Sequence, residues 1–178
     1  MYNIIYNRII IFFNSFLIRF FALLKGSWIS FGATIYIHSG GKFEIGRGVR
    51  VAQDSVLSVL PGAVLVLKDR CIINHGVTIY CADRVVVGSQ SRIAHYCSIL
   101  DHDYNIHSGN SRFNKPKKTS AIFIGENVWL GAYVIVFKGV SIADHCVIGA
   151  QTMVRKSIAE KMVVYCLSNT LLSQSKLP

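Results

Sequence analysis

The chain has 178 residues, a formal net charge of +10 and a hydrophobic fraction of 52%, with only 16% charged residues. This length accommodates one domain and an appendage, and the charge indicates an anionic partner such as a phosphorylated cofactor, a phosphate-linked substrate or a membrane surface. No nucleic-acid-binding motif accompanies the charge, which argues against nucleic acid as the partner. Five cysteines without a Cys-x-x-Cys pair exclude a disulfide framework and favour a reducing, cytoplasmic compartment.

Residues 1–31 differ from the rest of the chain, because isoleucine, leucine and phenylalanine dominate there. At 100° per residue the polar positions of residues 1–25 gather on one side, which predicts an amphipathic helix with a wide apolar face. Arg8 and Arg19 would be costly inside a membrane span, and a signal peptide would carry its charge before the apolar run. We expect peripheral contact with the cytoplasmic membrane, with cationic side chains at the polar edge of the helix. A helix that only caps the following domain or packs in an oligomer is the alternative, and a true membrane span is a third.

Residues 34–100 contain aliphatic residues six positions apart. Two runs follow this spacing: Ile45, Val51 and Leu57, and then Val87, Ile93 and Ile99. The register shifts near Pro61 and again after Ile79, as an extra residue in a corner turn would cause. The segment therefore predicts a repeat whose corners vary in length.

Residues 101–121 interrupt the repeat with a polar and basic segment. Long loops that project from a compact scaffold are usually functional or disordered. This loop begins with Asp101, His102 and Asp103, the densest cluster of ionisable side chains in the chain. We therefore expect the functional site at the start of the loop.

The spacing of six is clearest near the end of the chain. Six aliphatic residues keep it without a break: Ile124, Leu130, Val136, Ile142, Ile148 and Val154. Helices repeat every 3.6 residues and strands every two, so a period of six indicates a β-solenoid that turns one apolar residue per face inward. With about 18 residues per coil, residues 34–158 would hold six or seven coils. We assign residues 32–165 to this domain and residues 166–178 to a C-terminal tail.

Two segments of the repeat carry a family resemblance: Ile124-Gly-Glu-Asn-Val-Trp-Leu-Gly-Ala and Gly139-Val-Ser-Ile-Ala-Asp-His-Cys-Val-Ile-Gly-Ala. They resemble the hexapeptide-repeat acyltransferases, and in particular the maltose/galactoside-type and the capsule or O-antigen sugar O-acetyltransferases. The resemblance implies an all-β fold, a left-handed parallel β-helix, preceded here by the N-terminal amphipathic α-helix. It also implies acetyl-CoA as the acyl donor, no metal, and a homotrimer with active sites between subunits.

Acyl transfer from a thioester needs a base that takes the proton of the acceptor, and histidine is suited to this because it titrates near neutral pH. His102 is the candidate general base, since it opens the loop between Asp101 and Asp103. Either carboxylate can orient the ring and support the imidazolium. His107 is the second candidate for the base, and a solvated loop histidine without a catalytic role is the alternative.

The resemblance also assigns binding residues. Asn74, with His75 beside it, matches the asparagine that contacts the acceptor in the family, and His107 is a further candidate acceptor contact. The positions that match donor contacts are Trp129, Gly131, Ala132, Gly149, Ala150, Arg155 and Lys156. Small residues let the arm of coenzyme A approach the backbone, and the basic pair would meet its phosphates. An asparagine stacked in a turn and a tryptophan packed in the core are the alternatives.

These features predict an acetyl-CoA-dependent acetyltransferase that modifies a sugar hydroxyl in bacterial capsule, O-antigen or exopolysaccharide biosynthesis. Its acceptor would be a sugar or a lipid-linked glycan, at the inner face of the cytoplasmic membrane. A sugar N-acetyltransferase acting on an amino-sugar nucleotide is the nearest alternative. A non-catalytic scaffold is another, since the tail keeps only Asn169 of the family's Gly-Asn-Pro-Ala-Lys segment. A zinc hydratase would need three of His75, His95, His102 and His107 to converge.

Overall fold

The described part of the chain is almost entirely β-structure. The computed structural model describes residues 16–104, 117–167 and 171–176, which form one helix, α1 (16–24), and 21 strands. In chain order the strands are β1 (Trp28–Ile29), β2 (Thr34–Ile37), β3 (Lys42–Ile45), β4 (Arg50–Val51), β5 (Val56–Val59), β6 (Val64–Leu67), β7 (Ile72–Ile73), β8 (Thr78–Cys81), β9 (Arg84–Val87), β10 (Arg92–Ile93), β11 (Ser98–Leu100), β12 (His102–Tyr104), β13 (Lys117–Thr119), β14 (Ile122–Ile124), β15 (Trp129–Leu130), β16 (Ile135–Phe137), β17 (Ser141–Ile142), β18 (Val147–Ile148), β19 (Met153–Val154), β20 (Met162–Leu167) and β21 (Leu171–Lys176).

Parallel strands form three sheets, here called faces A, B and C, that wind round one axis. Face A contains β1, β4, β7, β10, β15, β18 and β20; face B contains β2, β5, β8, β11, β16 and β19; face C contains β3, β6, β9, β14 and β17. The pairs β12–β13 and β20–β21 are antiparallel. The chain passes from face A to B to C and returns one layer further on, so the predicted all-β parallel β-helix with an N-terminal helix is confirmed.

The coils shorten along the axis. Ile29 pairs with Val51, 22 residues later, whereas Leu130 pairs with Ile148, only 18 residues later. The first coils are longer because their strands on faces B and C have four residues, while the strands of these faces after the loop have two or three. The chain therefore winds into about five coils, and the prediction of six or seven is wrong because the spacing of six holds strictly only in the later coils.

The interior consists of aliphatic columns, one for each face. Face A contributes one inward side chain per strand, each at most 5% exposed: Ile29, Val51, Ile73, Ile93, Leu130, Ile148 and Val164. The six aliphatic residues of the late repeat are all buried in these columns. Since burying a side chain of this size contributes about 1.5–3 kcal/mol, the stacked coils share one continuous hydrophobic core.

Three corners join the faces, and their backbone is tightly turned. Corner AB contains residues 74–76, 94–96, 131–133 and 149–151; corner BC contains 82–83, 101, 138–140 and 155–157; corner CA contains 88–90, 125–127 and 143–145. Non-glycine residues with positive φ recur at corners AB and CA, among them Tyr96 at 58° and Tyr133 at 60°. Their amides donate to the preceding coil, as Tyr96 N does to His75 O at 3.1 Å. These bonds between coils hold a backbone conformation that most residues avoid.

The helix α1 lies across the open end of the first coil. Ala22 is completely buried, and Arg19 Nη2 donates to the carbonyls of Ser30 at 3.2 Å and Ala33 at 2.6 Å. Arg19 therefore faces the protein rather than the polar edge where it was expected, because it satisfies carbonyls at the end of the first coil. The other side of α1 exposes apolar residues: Phe16, Leu17, Phe20, Phe21, Leu23 and Leu24. Residues 1–15 of the expected helix lie outside the described residues.

Within the described residues, no helix has the length and the apolar character needed to cross a membrane.

Candidate functional site

Asp101 anchors the start of the excursion loop at corner BC. Its side chain is completely buried directly after β11. The carboxylate accepts hydrogen bonds from Ala82 N at 2.8 and 3.0 Å and from Asp83 N at 2.8 Å, both on the preceding coil. Two backbone donors thus satisfy a charge that burial alone would make costly. The loop consequently leaves the solenoid from a fixed point.

His102 is held by the same carboxylate. Its Nδ1 lies 3.2 Å from Asp101 Oδ1, and its side chain is only 12% exposed. A carboxylate at Nδ1 favours the tautomer that carries the proton there, which places the lone pair on Nε2 at the other side of the ring. The geometry thus suits a base that takes a proton at Nε2 while Asp101 supports the resulting imidazolium.

Cys81 lies beneath this pair and is completely buried. Burial raises the pKa of its thiol to about 12, and the neighbouring Asp101 carboxylate raises it further. Because the thiol stays protonated at neutral pH, it is a poor nucleophile. The site therefore offers a base and no activated thiol among its described residues.

The predicted basic pair also lies at corner BC. Leu100 pairs with Phe137 in the next coil, and the Arg155 guanidinium carbon lies 4.3 Å from the centre of the Phe137 ring. Two coil steps of about 4.8 Å separate the layer of His102 from that of Arg155. Lys156 follows Arg155 and is exposed. Two cations thus lie about 10 Å along the axis from His102.

The predicted acceptor contacts lie at another corner. Asn74 and His75 belong to corner AB, where Asn74 Nδ2 donates to Ile93 O at 3.1 Å. His75 Nε2 lies 2.9 Å from the Tyr96 hydroxyl, and His75 Nδ1 lies 3.4 Å from Asp54 Oδ2. Within one chain these side chains are separated from His102 by the length of a strand of face B, about 10 Å or more.

The small residues predicted to line the donor site share corner AB with Asn74. They are Gly131, Ala132, Gly149 and Ala150. A Cβ on Gly131 would lie 2.6 Å from Ala150 N, and one on Gly149 would lie 2.9 Å from Tyr165 Cβ. Close stacking of coils thus requires both glycines, whether or not a ligand approaches them.

Trp129 lies on face A, exposed rather than packed in the core, with 55% of its surface accessible. It borders a cavity of about 620 Å³ whose lining includes Asn74, Arg92, His145 and Lys161. The sequence analysis missed the last three residues. Arg92 directly precedes the inward-facing Ile93, so its outward direction follows from the repeat, but its neighbour across the loop, 37 residues later, does not.

Several predicted residues are not placed with the others. Asp103 is exposed beside the pair, whereas His107 and Asn169 lie outside the described residues. Of the histidines considered for zinc, His75 and His95 share corner AB while His102 lies at corner BC. Within one chain, the described histidines therefore do not converge on one point.

The site residues thus fall into two groups at the two edges of face B. His102, Asp101, Arg155 and Lys156 lie at corner BC, while Asn74 and the small residues lie at corner AB. The groups face in different directions, because a strand of face B separates them.

Comparison with known proteins gives a family and a set of relatives. The bacterial transferase hexapeptide model (six repeats) matches residues 121–156. The chain is 28% identical over 137 residues to WbbJ of Escherichia coli K12, named for O-acetyl transfer in lipopolysaccharide biosynthesis, covering 72% of this chain and 70% of WbbJ. It is 30% identical over 120 residues to WcaF of Escherichia coli K12, named for acetyl transfer in colanic acid biosynthesis, covering 67% of this chain and 63% of WcaF.

A solved structure supports the fold. The N-acyltransferase AntD from Bacillus cereus, in a variant bound to dTDP-4-amino-4,6-dideoxyglucose and coenzyme A, superposes with a TM-score of 0.70 at 19% identity. The superposition covers 85% of this chain and 80% of AntD. At this identity the likeness concerns the architecture alone.

Proposed function

Because this chain belongs to the hexapeptide-repeat family of bacterial transferases, we propose that it transfers an acetyl group from acetyl-CoA to a sugar hydroxyl in surface-polysaccharide biosynthesis. WbbJ and WcaF, which act in such pathways by name, support this assignment. The observation that carries the proposal is the anchored Asp101–His102 pair at the start of the excursion loop.

His102 acts as the general base in this proposal. Its Nε2 takes the proton of the acceptor hydroxyl while the hydroxyl oxygen forms a bond to the thioester carbonyl carbon. The carbon–sulfur bond breaks, and the coenzyme A thiolate receives the proton from the imidazolium. Asp101 holds the ring and supports its charge throughout. Transfer is direct, since no activated nucleophile of the protein adjoins the pair in the part that the structure describes.

The two groups of site residues belong together if neighbouring chains complete one another. Corner BC of one subunit supplies His102, Arg155 and Lys156, and corner AB of the next supplies Asn74, Gly131 and Gly149. A homotrimer built in this way has three equivalent sites. The coenzyme A phosphates meet Arg155 and Lys156 at one end of the groove, and its thioester reaches His102 at the other.

The exposed side of α1 supports contact with a membrane. Phe16, Phe20 and Phe21 are each more than half exposed, and Phe31 beside them is 88% exposed. Such apolar groups on a chain of net charge +10 suit the interface of an anionic bilayer. The enzyme would then work on lipid-linked glycans at the inner face of the cytoplasmic membrane.

Thiol release from acetyl-CoA tests the function. We expect acceptor-dependent release by the wild type that falls by about a hundredfold or more in His102→Ala, while the affinity for acetyl-CoA is retained. His38→Ala in the first coil is the matched control and should keep full activity. Equal rates in both variants would remove His102 as the base, and no release or acetyl-CoA binding at all would favour a scaffold.

The choice of acceptors separates the two transferase chemistries. Sugars with only hydroxyl groups are compared with amino-sugar nucleotides of the kind found in the AntD complex. O-transfer predicts turnover of the first group. Turnover confined to the amino sugars would assign the chain to N-acetylation instead.

A further inference from the structure

The cavity on face A crosses the outward side of four consecutive coils. It is lined by β7, β10, β15 and β18 from the end of Asn74 at corner AB to His145 at corner CA, and it encloses about 620 Å³. Arg92 and Trp129 are register partners in its floor. Neither the anchored pair nor the basic residues of corner BC contribute to it.

The charge of this cavity is positive throughout its lining. Arg92 and Lys161 border it, and no carboxylate does so. The Arg92 guanidinium forms no hydrogen bond or ion pair with the residues that the structure describes. By contrast, the larger cavity beside α1 is lined by Glu44 and Asp69 as well as by lysines. The cavity on face A therefore favours an anionic ligand.

The neutral groups of the cavity supply a donor and a flat surface. Asn127 Nδ2 lies 3.1 Å from His145 Nδ1 and can only donate, so His145 Nδ1 accepts and Nε2 carries the proton. The exposed indole of Trp129 offers a face for a sugar or a base. Guanidinium, ammonium and imidazole N–H groups around such a platform match a phosphate joined to a ring.

We propose that the face A cavity binds the phosphate linkage of the acceptor, so that the enzyme selects sugars joined to a carrier by phosphate. The inference rests on the proposed function, because it takes Asn74 at the rim of the cavity as part of the acetylation site completed by His102 of the next subunit. Arg92 and Lys161 hold the phosphate, and Trp129 packs against the adjoining ring. The carrier is a nucleoside diphosphate or a polyprenyl diphosphate, which share this chemistry.

Calorimetry with inorganic pyrophosphate tests the cavity without requiring catalysis. The probe is titrated into full-length wild type, Arg92→Gln and Arg84→Gln, the last of which removes an exposed arginine from face C. We expect Arg92→Gln to weaken binding about tenfold or more and Arg84→Gln to leave it unchanged. Equal weakening in both variants, or none in Arg92→Gln, would overturn the proposal.

Steady-state kinetics then identifies the ligand. For Arg92→Gln we expect KM to rise about tenfold for a nucleoside diphosphate sugar or a polyprenyl diphosphate sugar, with KM for a neutral methyl glycoside unchanged. The acceptor whose KM rises identifies the carrier. If the affinity for acetyl-CoA falls instead, the cavity holds the donor and the proposal is wrong. Normal pyrophosphate binding in an enzyme that turns over no acceptor would refute the proposed function and leave the phosphate site standing.

Discussion

Asp101 performs two structural tasks with one carboxylate. It accepts two amides of the preceding coil and also orients His102, so the start of the loop and the direction of the ring are fixed together. Asp103, the other carboxylate beside His102, is exposed. The two flanking residues, equivalent in the sequence, are therefore distinguished by burial.

Asp101→Asn should impair both tasks. An asparagine has one acceptor oxygen, so its NH₂ group would face an amide donor of Ala82 or Asp83, which costs about 1–3 kcal/mol. We expect a lower free energy of unfolding in urea and a kcat reduced about tenfold or more, with KM for acetyl-CoA unchanged. Asp103→Asn is the matched control, and a larger loss of kcat in that variant would reassign the orienting role.

Cys71 should make stability depend on alkaline pH. Burial raises the pKa of its thiol from 9.0 to about 12, with a further contribution from the charge of Asp69. Between these values the unfolded chain loses a proton that the folded chain keeps, so stability falls as pH rises. We expect the melting temperature of Cys71→Ala to decline less steeply than that of the wild type from pH 9 to pH 12. Parallel declines would show that this thiol ionises normally in the folded chain.

The helix α1 covers the first coil with a narrow side and exposes a wide one. Ala22 and Arg19 face the solenoid, whereas Phe20 and Leu24 are more than half exposed. This arrangement serves a cap and a membrane contact at once, because the two roles use opposite sides of the helix. The two interpretations of the N-terminal segment are therefore compatible.

Substitutions on the outer side of α1 separate the roles. We expect Phe20→Ser with Leu24→Ser to reduce co-sedimentation with anionic vesicles about tenfold or more, since apolar area no longer enters the bilayer. The melting temperature should stay within a few degrees of the wild type, because neither side chain is buried. Phe123→Ser on face C is the control for an exposed phenylalanine, and equal loss of binding in the control would refute the membrane contact.

The arrangement of the whole molecule decides whether the site can form. One chain holds His102 at corner BC and Asn74 at corner AB, on opposite edges of face B. A site that needs both residues therefore needs two chains. This makes activity a property of the assembly, which a mixture of variants can reveal.

Co-expression of His102→Ala and Asn74→Ala chains tests the shared site. Each variant alone should be nearly inactive. In mixed trimers about one interface in four pairs an intact His102 with an intact Asn74, so we expect recovery of about a quarter of the wild-type activity. Light scattering should give the mass of a trimer in every sample. A mixture no more active than its components would place the whole site within one chain.

The sequence by itself determined the solenoid, its core and the position of the site in the chain. A column of inward aliphatic residues is a local, periodic requirement, so Ile124 to Val154 reveal it without knowledge of their partners. The cluster around His102 is likewise visible, because it stands where the period stops.

Only the tertiary structure decided which residues meet. Coils of 22, 20 and 18 residues, and the 37 residues that join Arg92 to Trp129, set the neighbours across each face. A change in strand length moves every later contact without disturbing the aliphatic pattern, which is why the number of coils was overestimated. The selection of Asp101 over Asp103 and the separation of Asn74 from His102 depend on burial and on the corner reached, and the hydrophobic period carries no information about either.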